Sequence, residues 1–264
     1  MKKTALITGA TSGLGLAYVN EYAKRGYDLI ITGRRKEKIE ANAKDIIERY
    51  GISVMVVIVD LSNENGLNKL LEIIKDKEID VLVNNAGFGL KPYFADLLVE
   101  NIEEMIYLQT NTVVLLVHTV IQGMIKRNHG TIINISSDGA FAVIPKNVLY
   151  SSTKIFIKNF TEGIYMELME TEVKVQVVCP GFMDSDFHES TGMKVNKSQK
   201  GFMKFSQPED IVKKAMKDLK KGKVVSVLGT DAKLIRFLSN ILPRKVYYFF
   251  AVGFVKKKFV PKNV

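Results

Sequence analysis

Thr8-Gly9-Ala10-Thr11-Ser12-Gly13-Leu14-Gly15 stands between an apolar run at residues 4–8 and a helical pattern at residues 14–25. Glycines permit a tight turn and let a pyrophosphate approach the backbone. A helix beginning directly behind the turn adds free N–H groups and the positive end of its dipole. Glycine triplets alone are common. Placed between the first strand and first helix of an alternating chain, they become a phosphate-binding signature. No Lys-Ser/Thr pair follows the last glycine, so the turn is not a P-loop, and no Gly-x-Ser-x-Gly elbow is present.

Working outward, short runs rich in Val and Ile at residues 4–8, 27–32, 54–59, 81–84, 131–135, 173–178 and 224–228 read as strands. They mostly lack polar alternation, which implies burial on both faces in a parallel sheet. Helical patterns at 14–25, 37–50, 64–77, 102–127 and 150–169 lie between them, and Gln207-Pro208-Glu209-Asp210 looks like a further helix start. The alternation predicts an α/β fold: one doubly wound, parallel seven-stranded sheet of the Rossmann type, in three layers and a single domain. Its ligand crevice lies at the carboxyl ends of the strands. Residues 1–229 would form this domain, and residues 230–264 an apolar and basic extension.

The chain has 264 residues, 47% of them hydrophobic and 25% charged, with one cysteine and a formal net charge of +10. This composition fits one large globular domain and excludes a disordered or repeat architecture. Lys and Arg are mixed with acids along the chain, and no nucleic-acid motif accompanies the charge, so a basic solvated surface is expected and no nucleic-acid partner. Cys179 ends an apolar run and reads as a buried small hydrophobe; a disulfide framework is excluded and a reducing compartment fits. The apolar start is too short for a signal peptide, no run is expected to be long enough to span a bilayer, and the cytoplasm is expected. His118, His129 and His188 are scattered without metal-ligand spacing, so no metal is expected.

Further motifs follow in order: Asp60 after the third strand, Asn84-Asn85-Ala86-Gly87 after the fourth, Asn111 in a long helix, Ser137 after the fifth strand, Tyr150-x-x-x-Lys154, and Pro180-Gly181 after the sixth. Together with Thr8-Gly9-x-x-x-Gly13-x-Gly15, this ordered set over about residues 3–228 resembles the short-chain dehydrogenase/reductase family. The resemblance implies a hydride-transferring oxidoreductase with a nicotinamide cofactor. Gly9, Thr11, Ser12, Gly13, Leu14 and Gly15 would then hold the cofactor's phosphates, Asp60 and Leu61 border its adenine, and Asn84, Ala86 and Gly87 line the adenosine-ribose side. Pro180 and Gly181 would flank the nicotinamide. Where the family often places Thr a little later, this chain has Ser185, preceded by Asp184.

The end of the second strand bears on which cofactor. An acid there would hydrogen-bond the ribose hydroxyls of NAD, whereas Arg accommodates a 2′-phosphate. Gly33 is followed by Arg34 and Arg35, which favours NADP(H). Some NADP-dependent members carry a basic residue just before the second motif glycine; here Ser12 stands there.

Tyr150 and Lys154 are four residues apart on a helical pattern and share a face. A free phenol titrates near about 10, and a neighbouring ammonium lowers that value. By resemblance Tyr150 is the general acid/base, Lys154 also binds the nicotinamide ribose, Ser137 (Ser136 the fallback) polarises the substrate oxygen, and Asn111 helps hold a water linking Lys154 to solvent. Residues 182–205 should cover the substrate. Phe182 and Phe187, with Phe88, Phe94, Phe141 and Ile144, suggest an apolar carbonyl or alcohol substrate, or simply a packed lid.

The tail from residue 234 alternates apolar and basic blocks, as a subunit interface, an active-site cover or a membrane-surface anchor would; protein packing is the favoured reading. The family resemblance implies a homodimer or homotetramer. A non-catalytic NADP-binding sensor or scaffold, and a peripheral membrane protein anchored by its tail, stand as alternatives.

Overall fold

The computed structural model describes residues 2–90, 92–181, 183 and 206–259, with side chains described as far as Gly253. In chain order the elements are β1 (Thr4–Ile7), α1 (Gly13–Lys24), β2 (Asp28–Gly33), α2 (Lys36–Tyr50), β3 (Val54–Ile58), α3 (Glu64–Ile74), β4 (Val81–Asn84), α4 (Val99–Ile106), a π-helical turn (Tyr107–Asn111), α5 (Thr112–Lys126), β5 (Gly130–Ile135), α6 (Val148–Glu167), β6 (Val173–Pro180), α7 (Pro208–Lys220), β7 (Val225–Leu228), α8 (Thr230–Ile241) and α9 (Arg244–Phe259).

The seven strands form one sheet in the order β3-β2-β1-β4-β5-β6-β7, and every pairing is parallel. The expected doubly wound fold is therefore present. Successive side chains of a strand point to opposite faces, so each strand feeds both layers. In β1, Ala5 and Ile7 pack with α1, α2 and α7, while Leu6 packs with α3 and α5 on the other side. Helices obey the matching 3.6-residue rule. In α3, Leu67, Leu70 and Ile74 are buried, and each contributes about 1.5–3 kcal/mol by leaving water. Gly51 ends α2 in the left-handed region at φ 63°, and Pro208 opens α7 with Glu209 and Asp210 in its first turn.

The order reverses between β1 and β4. A crevice opens there at the carboxyl ends of the strands, where the glycine turn and residues 84–87 meet.

Two expectations need correction. The helix read at residues 102–127 begins at Val99 and is broken by the π-helical turn, whose Thr112 N–H bonds to the Tyr107 carbonyl. The combined run Val99–Lys126 is long and apolar enough to cross a membrane by length and composition, contrary to the expectation that none was. Half of its apolar window is buried in the fold, as in the core helix of a globular domain.

Candidate active site

Three of the motif glycines make the turn. Gly9 (φ 66°) and Gly13 (φ 55°) occupy the left-handed region. A Cβ on Gly15 would lie 2.1 Å from the Gly9 carbonyl oxygen, so helix α1 can approach the turn only without a side chain there. Ser12, the N-cap of α1, makes no side-chain cap hydrogen bond, and the first turn of α1 carries no acid. An anion therefore meets the helix dipole with no carboxylate in its way. Thr11 and Leu14 are buried in the floor of the turn.

Asn85 fastens this turn to the end of β4. Its Nδ2 donates to the carbonyls of Thr8 (2.9 Å) and Gly9 (3.1 Å), while the Asn85 and Ala86 N–H groups donate to Thr8 Oγ1 at 2.9 and 3.0 Å. The sequence pattern points to Asn84 at this site and not to Asn85. The structure turns Asn84 away from the crevice: it is 4% exposed, and its Nδ2 donates to Asn134 Oδ1 at 2.9 Å inside the core. Leu61 is likewise a core side chain, whose carbonyl accepts from Thr112 Oγ1 at 2.7 Å.

The two arginines differ. Arg35 lies across the glycine turn, its Nη2 donating to Thr11 Oγ1 (2.6 Å) and Ser12 Oγ (2.8 Å). Arg34 reaches instead to Asp60, 3.4 Å away, so a carboxylate does compete for one guanidinium. Burial raises the Asp60 pKa, but hydrogen bonds from Ser62 and the Arg34 charge outweigh it and hold the carboxyl below its ordinary value. At 60% and 40% exposure the Arg34–Asp60 pair is weak, in the range of about 0–1 kcal/mol, and an incoming phosphate can displace it. The dipole end, the closed glycine turn and the adjacent Arg35 together fit the phosphates of a nicotinamide dinucleotide.

Deeper in the crevice, β5 ends at Ile135 and the chain passes through Ser136 and Ser137 to face α6. Ser136 is structural: its hydroxyl donates to the Lys154 carbonyl at 2.8 Å. Ser137 hydrogen-bonds Tyr150, donates to Asp138 Oδ1 at 2.7 Å and accepts from the Gly139 N–H at 3.1 Å. Lys154 Nζ lies 5.4 Å from the centre of the Tyr150 ring and donates to the Ile135 carbonyl at 3.1 Å. Ser137, Tyr150 and Lys154 are thus brought together at the crevice.

Their electrostatics differ from the expectation. Burial raises the Tyr150 phenol well above its ordinary range; the Ser137 hydrogen bond opposes this and the nearby Asp138 adds to it. Burial also pushes Lys154 down from 10.5 to about 7. Asp138 is itself raised by burial, with Asp231 nearby, and Cys179 is raised to about 12 in an apolar setting. The cause is common: low-dielectric surroundings disfavour each charged form. The ammonium alone does not make the phenol acidic.

Asn111 is not at this centre. It is exposed at the end of the π-helical turn, where its Oδ1 accepts from Thr110 at 3.2 Å. Gln109 is there instead. It is fully buried, its Nε2 donates to the Phe88 carbonyl at 2.9 Å, and its Oε1 has no partner among the described residues. A Cβ on Gly87 would lie 3.4 Å from Gln109 Oε1 and 3.5 Å from Lys154 Nζ, so both face the same small space. The signal was in the apolar stripe: Leu108, Thr112, Val113, Leu116 and Val117 are buried at helical spacing, and Gln109 lies on that stripe while Asn111 lies off it. Gln109→Leu is expected to lower kcat about 10–100-fold, whereas Asn111→Ala stays within about twofold. Steady-state rates of the two variants side by side check the assignment, and equal losses would overturn it.

Of the expected wall residues, Phe94 is in place and others are not. Beside Tyr150 the cleft is lined by Leu90, Phe94, Leu97, Val148 and Leu149, with Lys146 Nζ lying 4.5 Å over the Tyr93 ring at its rim. Phe88 is half-buried against the core, and Phe141 points into a separate groove under Arg236, 5.5 Å from its ring. Ile144 is half-exposed, its carbonyl accepting from the Asn147 N–H at 3.3 Å, and is not among the cleft-lining residues. Pro180 closes β6, and Gly181 is pressed so close to the Asp231 carboxylate that a Cβ would lie 2.4 Å from it. Phe182, Ser185, Phe187 and His188 lie outside the described residues.

The family model described as short chain dehydrogenase matches residues 3–196. A very-long-chain 3-oxoacyl-CoA reductase of Anas platyrhynchos is 35% identical over 68% of this chain and 59% of its own. The human protein named inactive hydroxysteroid dehydrogenase-like protein 1 is 31% identical over 68% of this chain and 55% of its own. The matches thus span less than two thirds of either relative. A short-chain dehydrogenase from Sphingobium yanoikuyae, solved in complex with NADPH, superposes with a TM-score of 0.81 at 25% identity, covering 99% of this chain and 98% of that one. The chain belongs to the short-chain dehydrogenase family, an oxidoreductase family, and its site is built for a nicotinamide cofactor.

Proposed function

We propose that the protein is an NADP(H)-dependent carbonyl reductase or alcohol dehydrogenase acting on apolar small molecules, with Tyr150 as general acid/base. The observation that carries this reading is the convergence of Ser137, Tyr150 and buried Lys154 at the switch-point crevice. A protein that merely bound a nucleotide has no use for that set. When bound, the cofactor supplies or accepts the hydride.

The chain's own residues then do the following. Ser137 donates to the substrate oxygen once its hydroxyl leaves Asp138. Tyr150, protonated at neutral pH because burial holds its proton, gives that proton to the oxygen as charge develops there. The Lys154 ammonium returns a proton to the phenolate and regains one from solvent, while Gln109, whose Oε1 faces the same small space, accepts a hydrogen bond there and orients the path. The apolar wall of Leu90, Phe94 and Leu97 suits a hydrocarbon substituent on the carbonyl. In this reading the protein is a cytoplasmic homodimer or homotetramer.

The test is oxidation of NADPH and NADH over a panel of ketones, aldehydes and 3-oxoacyl thioesters. NADPH turnover should exceed NADH turnover by at least about tenfold. Arg35→Ala should raise the KM for NADPH about 10–100-fold and leave NADH nearly unchanged, since a guanidinium–phosphate contact of a few kcal/mol is removed. Arg34→Ala should have the smaller effect, because its guanidinium is shared with Asp60. An unchanged cofactor preference in Arg35→Ala would sink the NADP assignment.

A further inference from the structure

We infer that α8 and α9 form an interfacial docking element for an anionic lipid bilayer. Helix α8 is amphipathic in the inverted sense. Leu234, Phe237, Leu238 and Ile241 follow the i, i+3, i+4, i+7 rule of an apolar stripe, yet they are 54%, 59%, 39% and 61% exposed, while the buried positions are Ala232 and Ser239. Helix α9 continues the surface. Tyr247 and Ala251 face inward, whereas Tyr248, Phe249 and Phe250 face outward, Phe249 at 77% exposure. Soluble domains rarely expose contiguous apolar patches beyond a few hundred Å², so this face has an occupant.

Charge identifies it. The balanced mixture of acids and bases holds only as far as Asp231. Residues 232–264 contain eight Lys and Arg and no Asp or Glu, so most of the net charge of +10 resides in this segment. Lys233, Arg236, Arg244 and Lys245 flank the apolar faces. A second copy would bring like charge against like. An anionic headgroup layer is complementary, and each basic residue near it adds about fivefold to binding. The apolar run 246–255 covers about 15 Å as a helix, half of a bilayer's hydrocarbon core, so the helix lies in the interface and does not cross it.

The element is tied to the reaction centre. The Tyr247 N–H donates to the Pro243 carbonyl at 3.0 Å, and its hydroxyl both accepts from the Val143 N–H (2.8 Å) and donates to the Val143 carbonyl (3.2 Å). Val143 belongs to the segment joining Ser137 to Tyr150. If the reductase reading holds, docking sets the cleft beside a reservoir of apolar carbonyl compounds.

The full-length protein is to be sedimented with phosphatidylcholine vesicles with and without about 30% phosphatidylglycerol. Binding should be at least about tenfold tighter to the anionic vesicles and weaken as salt rises from about 0.1 to about 0.5 M. The chain has no tryptophan, so Phe249→Trp gives a single reporter whose emission should shift to the blue on anionic vesicles. Replacing Phe237, Phe249 and Phe250 together by Ser should cut vesicle binding at least about tenfold and leave NADPH turnover on a soluble ketone unchanged. Absence of vesicle binding, or a water-exposed Trp emission on vesicles, overturns the proposal. So does a triple variant that falls from dimer to monomer by light scattering while vesicle binding persists, because the face then belongs to a second copy. These measurements do not depend on turnover, so a failed reductase assay and a failed docking assay are separate results.

Discussion

Replacement of Tyr150 by Phe is expected to lower kcat by about 10³–10⁴-fold while NADPH affinity stays within about threefold. The loss corresponds to about 4–5 kcal/mol of transition-state stabilisation. The ring remains, so packing beside Leu149 and the van der Waals outline of the crevice are kept; only the hydroxyl that hydrogen-bonds Ser137 is removed. The pH dependence has a definite sign. Burial, reinforced by Asp138 and opposed by Ser137, holds the phenol protonated through neutral pH. Carbonyl reduction, which needs the proton, should therefore be undiminished near pH 7. Alcohol oxidation, which needs the phenolate, should rise toward alkaline pH. Fluorescence titration with NADPH separates binding from chemistry; a variant that keeps a tenth of wild-type kcat would remove Tyr150 from the proton's path.

Lys154→Met is expected to abolish turnover by at least about 10³-fold and yet to make the cofactor-free protein more stable at neutral pH. The lysine is 4% exposed and burial lowers its pKa from 10.5 to about 7. Between those values the folded chain binds fewer protons than the unfolded chain. Stability from this group therefore rises with pH across the window from about 7 to 10.5, and the penalty is fully present below it. That penalty is on the order of a few kcal/mol, reduced by the Ile135 carbonyl that Met would leave without its donor. A net gain of about 1–3 kcal/mol corresponds to a rise in Tm of several degrees at pH 7, shrinking toward pH 10. Scanning calorimetry at both pH values decides it: a fall in Tm at pH 7 would show that the ammonium is stabilised in the fold.

The fold was legible because its cause is local. Runs of Val and Ile without polar alternation demand a sheet covered on both faces, and a glycine turn behind the first of them fixes where a phosphate can lie. Tyr150, Lys154 and Ser137 were legible for a similar reason, since four residues on a helix and one loop after a strand bring them together. Asn84 and Asn111 were misread where two neighbouring polar residues compete for one inward place. The pleat sends Asn84 into the core and Asn85 toward the turn. The apolar stripe sends Gln109 inward and Asn111 outward. Arg34 was read as available because its competitor, Asp60, is 26 residues away and becomes a neighbour only through the pairing of β2 with β3.

The Tyr107–Asn111 turn is in effect a one-residue insertion. Removing one residue there would restore ordinary winding and leave α4 in the same phase relative to α5. Met105 would keep its wholly buried place, and α4 its contact with α6. The stretch therefore absorbs the loss of one residue that, in a regularly wound helix, would turn every preceding side chain by about 100°.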